Sequence, residues 1–136
     1  MTPDSSAIIA ASSPWHDRHA AALAALSDVT DLIAHAELEA YSVLTRLPPP
    51  FRLSATVASR YLAEEFPGAR LFPAEPAGRA LVPLLAQLGV TGGRVYDALI
   101  AATAAEHGLT LLSCDERAQP VYRQLGVSVE LVQAAR

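Results

Sequence analysis

Asp97 sits in VYDALIAATAA (residues 95–105), a segment that is apolar almost all round, as a buried helix is. A carboxylate in such a place must be paired, protonated or bound to a cation. Arg94, three residues earlier, is the simplest partner. Asp4 and Asp115 each stand between a short apolar run and a helix-like stretch. An acid there either caps the helix or points outward from the end of a strand. Glu37 and Glu39 flank the apolar stripe Ala36, Ala40, Val43, Leu44 and Leu47 on opposite sides, at ~100° per residue. Periodicity does not choose between them.

Other groupings promise less. His16 and His19 share a helix face but lack a third ligand for zinc. A single cysteine, Cys114, excludes an internal disulfide and a cysteine-cage zinc site, and its place after an apolar strand favours inert packing. Gly92-Gly93 has neither the lysine of a phosphate loop nor the spacing of a dinucleotide fingerprint. His35 reads as a residue at a strand end and His107 as one at a helix end. Fourteen acids against ten bases, all arginine, give a formal charge of −4. Diffuse attraction therefore cannot hold a nucleic acid, which would need a local arginine patch or bound metal. Arg46, Arg52, Arg94, Arg117 and Arg123 are the candidates for such contacts.

The elements that would position these groups follow from the punctuation. The 136 residues, 51% of them apolar, suit one domain with a real core. No apolar run approaches the ~18 residues of a membrane span, and the N-terminus lacks a signal-peptide pattern, so a cytoplasmic protein is expected. Residues 1–4 suit a short strand and Ser5–Ala11 a helical turn or two; Pro14 suits the start of a helix over WHDRHAAALAALSD. TDLIAH (30–35) reads as a strand and residues 36–47 as a helix that stops before Pro48-Pro49-Pro50. Ser54 can cap the helix TVASRYLAEEF, and ARLFP resembles a further strand. Helices are predicted over 76–88, 93–107 and 115–125, and strands over 109–113 and 127–132. This alternation predicts an α/β fold with a mostly parallel, short-stranded sheet between helical layers. In such folds ligands gather beyond the carboxyl ends of the strands, which is where Asp4 and Asp115 would stand.

Three phrases, taken together, resemble the PIN domain, and more narrowly the VapC-type toxins of bacterial toxin–antitoxin pairs. They are Asp4-Ser5-Ser6, AHAELEAYSVLTRLPPP at 34–50, and GGRVYDALIAATAAEHGLTLLSCDERA at 92–118. In the last, an acid opens a buried small-residue helix and a second acid follows an apolar strand. The resemblance spans the chain and implies one PIN domain over residues 1–136, a three-layer α/β/α fold. It implies a metal-dependent endoribonuclease with an acidic quartet of Asp4, Glu39, Asp97 and Asp115, supported by the hydroxyls of Ser6 and Thr103. Glu39 is taken over Glu37 from its place in the family's phrase. Mg²⁺ or Mn²⁺ suits such a set, since a hard cation relieves the mutual repulsion of the carboxylates. Arg94, Arg46 and Arg117 would meet the RNA backbone. A homodimer and a cognate antitoxin are the implied partners, with no membrane. A cleft near Leu44, Leu47, Leu53, Tyr61 and Leu62 is the expected antitoxin seat.

One departure from the pattern stands out. Only Met1-Thr2-Pro3 precede Asp4, and proline has no N–H for a ladder, which predicts a frayed first strand. A damaged strand would favour an alternative reading, a catalytically weak PIN-like module that sequesters a protein or RNA partner. A nuclease directed at DNA through the same acids is a third possibility.

Overall fold

A computed structural model describes residues 1–134. Elements follow in the order β1 (Thr2–Pro3), α1 (Ser5–Ser12), α2 (His19–Ala25), β2 (Leu32–Ile33), α3 (Ala34–Leu44), α4 (Ala55–Glu65), β3 (Arg70–Leu71), α5 (Glu75–Leu88), α6 (Arg94–Glu106), β4 (Leu111–Ser113), α7 (Gln119–Gln124) and β5 (Val129–Leu131). A single 3₁₀ turn, Glu116–Ala118, leads into α7. Every strand pairing is parallel, in the orders β1-β4-β5 and β2-β3. The strands carry buried aliphatics, with Leu32, Ile33, Leu111 and Leu112 almost fully enclosed. Buried alanines on α1, α3 and α6 let those helices approach one another and the sheet closely.

The first strand is not frayed. Thr2 N donates to Thr110 O and Asp4 N to Leu112 O, both at 2.9 Å, so β1 keeps its ladder with β4. Alternate residues of a strand bond to opposite sides, so the N–H that Pro3 lacks falls on the other edge, toward β2. There β1 packs beside β2 without pairing, and the sheet divides into three strands and two. Pro3 thus interrupts the sheet at one edge and leaves the placement of Asp4 intact.

The strands are shorter than those read off the sequence and α3 ends at Leu44 rather than at 47, and three further boundaries differ. Helix α2 begins at His19 rather than at Pro14, because the Arg18 N–H is taken by His16 Nδ1 (3.1 Å) in a turn. Helix α3 begins at Ala34, directly on the end of β2, so His35 is helical rather than strand-terminal. The stretch 115–125 splits into the 3₁₀ turn and α7, with Pro120 in the helix's first turn. Ser54 caps α4 as expected, accepting from Val57 N at 3.2 Å.

Gly68 is what allows β3 to lie against β2. A Cβ there would meet Asp31 Oδ1 at 2.0 Å and the Thr30 carbonyl oxygen at 2.8 Å, while Gly68 N donates to that same oxygen at 2.8 Å. The Asp31 side chain can swing away but the Thr30 backbone cannot without unpairing the strands. Gly68→Ala is expected to cost about 1–3 kcal/mol, read as a lower urea midpoint at unchanged slope; an unshifted midpoint would show that the β2–β3 junction yields easily.

Candidate active site at the carboxyl edge of the sheet

Asp4 follows β1 and caps α1: its Oδ1 accepts from Ala7 N (3.0 Å) and from Ser6 Oγ (2.5 Å). Its Oδ2 accepts from the Tyr122 hydroxyl at 2.7 Å. The carboxyl group is only 2% exposed, and burial pushes its pKa up against the pull of hydrogen bonds from Ser113, Ser6, Tyr122 and Ala7. Tyr122, itself 1% exposed, is held protonated by burial and by the nearby Asp4 charge, so it remains a donor at physiological pH. Ser6 Oγ also accepts from Cys114 N (2.8 Å), and Ser113 Oγ accepts from Asp115 N (3.0 Å). These hydroxyls stitch the end of β1 to the end of β4, where Asp115 caps the 3₁₀ turn.

Helix α3 presents its two glutamates to different neighbours. Glu37 pairs with Arg70 of β3 (2.5 Å), away from the other acids. Glu39 accepts from Ser5 Oγ (3.1 Å) on α1 and meets His35 Nε2 (2.7 Å), one turn earlier on its own helix. The His35 ring in turn stacks on Tyr96, with centroids 5.4 Å apart and 14° between planes.

Asp97, in the first turn of α6, is where the acids meet. Its carboxyl is pushed up to about 6, first by burial and then by the charges of Glu39, Asp115 and Asp4, with His35 opposing. The charges of Glu39, Asp115 and Asp4, each from a separate element, therefore reach Asp97 through space. Among the described residues, no three of the histidine, cysteine, aspartate and glutamate side chains stand close enough to ligate one ion directly. The donor set is all oxygen, with Asp4 buried and Glu39, Asp97 and Asp115 partly exposed. That fits a hard cation that keeps much of its water and takes a few carboxylates, as Mg²⁺ does, better than a fully chelated ion.

The remaining candidates fall at different distances from this centre. Ser6 lies within it, whereas Thr103 donates to the Leu99 carbonyl of its own helix (2.7 Å) and touches none of the acids. Arg46 lines a cleft with Glu39 and Asp97, Arg94 is exposed at the start of α6, and Arg117 lies 3.6 Å from Asp115. Leu44 and Leu62 of the expected antitoxin seat are core residues. Leu62 also lines an open groove with Leu38, Tyr41 and Phe72, between α3, α4 and β3. The Cys114 thiol is raised to about 11 by burial and by Asp4, which keeps it protonated near neutral pH. Sequence reasoning missed His35, Tyr122 and Arg18, whose guanidinium donates to the Cys114 carbonyl. For His35 a signal existed: it stands four residues before Glu39, the spacing of one helix face.

The shift at Asp97 has a sign in stability. A carboxyl whose folded pKa lies above its unfolded value of 3.8 favours folding below that value and loses the benefit as pH rises through about 6. Asp97→Asn is therefore expected to stabilise the metal-free protein by about 1 kcal/mol near pH 8, a figure discounted because the group is half-exposed. Near pH 3 the gain should vanish. Urea unfolding at the two pH values checks this, and a variant destabilised near pH 8 would contradict the convergence of charge on Asp97.

Comparison with known proteins agrees with this geometry. The PIN domain family matches residues 1–124. The chain is 45% identical over 132 residues to Ribonuclease VapC40 of Mycobacterium tuberculosis, covering 97% of this chain and 98% of that one. It is 44% identical over 115 residues to Ribonuclease VapC27 of the same organism, covering 84% and 83%. Its fold is similar to that of FitAB bound to the IR36 DNA fragment, with TM-score 0.69, 21% identity, and 99% and 96% of the two chains covered. It is similar also to FitAcB from Neisseria gonorrhoeae, with TM-score 0.65, 23% identity and 94% of each chain covered. With the family matched over most of its length and the acids gathered at the carboxyl edge of a parallel sheet, the chain belongs to the PIN domain family.

Proposed function

We propose that this protein is a metal-dependent endoribonuclease, the toxin of a toxin–antitoxin pair, which hydrolyses phosphodiester bonds in RNA. The observation that carries the reading is the meeting of Asp4, Glu39 and Asp115 on Asp97 at the mouth of the sheet. The preference for RNA rests on relatives named as ribonucleases at 45% and 44% identity. The DNA-bound FitAB neighbour, at 21%, bears on fold alone. The reading takes residues 1–136 as a single domain.

Asp97, Asp4 and Asp115 would hold Mg²⁺ or Mn²⁺, directly or through water, with Glu39 as a further ligand or as the group that orients the attacking water. When bound, the ion supplies an activated water and stabilises the developing charge on phosphate oxygens. The protein's own part is positional. Ser6, Ala7 and Tyr122 hold Asp4 in one rotamer, and Ser5 and His35 hold Glu39. Arg46 stands beside Glu39 and Asp97 to take a backbone phosphate, with Arg94 and Arg117 flanking at the exposed rim. Phosphate contacts of this kind set register and leave sequence unread.

The groove at Leu38, Tyr41 and Phe72 suits the apolar face of a cognate antitoxin, and the family resemblance implies a homodimer as the working unit. Among the described residues no helix is long and apolar enough to cross a membrane. The alternative of a catalytically weak sequestering module loses its ground, since β1 keeps both ladder bonds to β4.

The test is cleavage of matched RNA and DNA strands in Mn²⁺ by the wild type and by Asp97→Asn. RNA should be cut by the wild type alone, and the variant should remain folded. Equal cleavage by the variant would end the assignment, and preferential cutting of DNA would redirect it to a deoxyribonuclease.

A further inference from the structure

Tyr96 is one of four exposed large aromatics, with Trp15, Phe51 and Phe72, and it alone of them lines the cleft that holds Glu39 and Asp97. It stands next to Asp97 in the first turn of α6, yet 55% of it is open to solvent. One face of its ring lies on His35. His35 is itself pinned by its contact with Glu39 at 2.7 Å, so the pair is a preformed flat surface on two rigid helices and not a mobile loop. The same cleft, about 370 Å³, contains Glu39, Arg46 and Asp97. An aromatic face, an arginine and two of the four acids therefore line one cavity.

We propose that Tyr96 is the stacking platform for an unpaired nucleobase next to the scissile phosphate, with Arg46 holding that nucleotide's backbone. The identity of the ligand rests on the ribonuclease reading, while the platform rests on the geometry of Tyr96 and His35. A base inside a duplex has both faces covered by its neighbours and offers none to Tyr96, whereas an extruded or single-stranded base gains a partner. Because every base has a π-face, the contact selects for lack of pairing and not for sequence. It would place a phosphate beside Asp97 by fixing the base to which that phosphate is attached. Tyr96 is thus a substrate-positioning residue, its aromatic ring being the functional part and its hydroxyl dispensable.

The experiment uses a single-stranded RNA carrying 2-aminopurine, whose fluorescence is quenched by stacking, and the fully paired duplex of the same strand. Binding is measured in the Asp97→Asn background, which prevents cleavage and lowers repulsion of the phosphate; steady-state cleavage is measured with Asp97 intact. Tyr96→Ala should weaken single-strand binding about 5- to 100-fold, abolish the protein-induced quenching, and raise KM more than it lowers kcat. Tyr96→Phe and Tyr96→Trp should retain both affinity and quenching, and Tyr96→Leu, apolar without a ring face, should behave like the alanine variant. Duplex binding should be unchanged throughout. Parent-like binding and quenching by Tyr96→Ala, full activity of Tyr96→Leu, or an equal loss for duplex and single strand would each overturn the proposal. So would variants that lose only their capture of a protein partner, which would make Tyr96 an interface residue. If the unsubstituted protein cleaves no RNA while quenching still depends on Tyr96, the ribonuclease reading fails and the platform stands. If the Asp97→Asn parent binds no single-stranded RNA, the platform falls.

Discussion

Burying the Asp4 carboxylate is the condition under which this structure exists. An unpartnered carboxylate at that depth would cost several kcal/mol, and the fold answers with donors from different parts of the chain. Ala7 N and Ser6 Oγ come from α1, and the Tyr122 hydroxyl from α7; the Ser113 hydroxyl at the end of β4 also favours the charged form. Hydrogen bonds to a charged acceptor are the strong ones, so the cluster ties the first strand, the first helix, β4 and α7 together at one point. The site is thereby coupled to the core: Tyr122 packs in the main apolar cluster with its ring and holds Asp4 with its hydroxyl.

Around that point the protein gathers more negative charge than it neutralises. Among the described residues Glu37 has Arg70, but Glu39 has only His35 and a serine, and Asp97 has no arginine contact; Arg94 stands exposed at the start of the helix. The strain appears as the raised carboxyl of Asp97. A sheet edge that served stability alone would pair or remove these acids. Leaving Asp97 uncompensated follows the usual conflict between activity and stability at functional sites, and a bound hard cation would remove the conflict by supplying the missing positive charge.

The split of helix α3 into two faces gives the site its shape. One face carries Glu37 to Arg70 and so braces β3, beside the apolar groove of Leu38 and Phe72. The other carries His35 and Glu39 to the acids, and through His35 reaches Tyr96 on α6. Two glutamates two residues apart, alike in type and in exposure, thus face different neighbours.

What the residues determined by themselves was local. Apolar runs placed the strands, small-residue periodicity placed α6, Ser54 announced the start of α4, and the apolar surroundings of Asp97 marked it as costly before any coordinates were known. These follow from rules that act over a few residues. The choice of Glu39 over Glu37, left open by periodicity and made only through family resemblance, needed the positions of Ser5 and Arg70, each more than thirty residues away. His35 was misplaced because the apolar run of β2 passes straight into α3 with no break to mark the boundary. Pro3 looked damaging because a sequence cannot say which edge of a strand is paired. Tyr122 joins Asp4 across nearly the whole chain. Carboxylates repel, pair and bind ions through space, over distances that sequence separation does not measure, so only the tertiary structure could decide which of them meet.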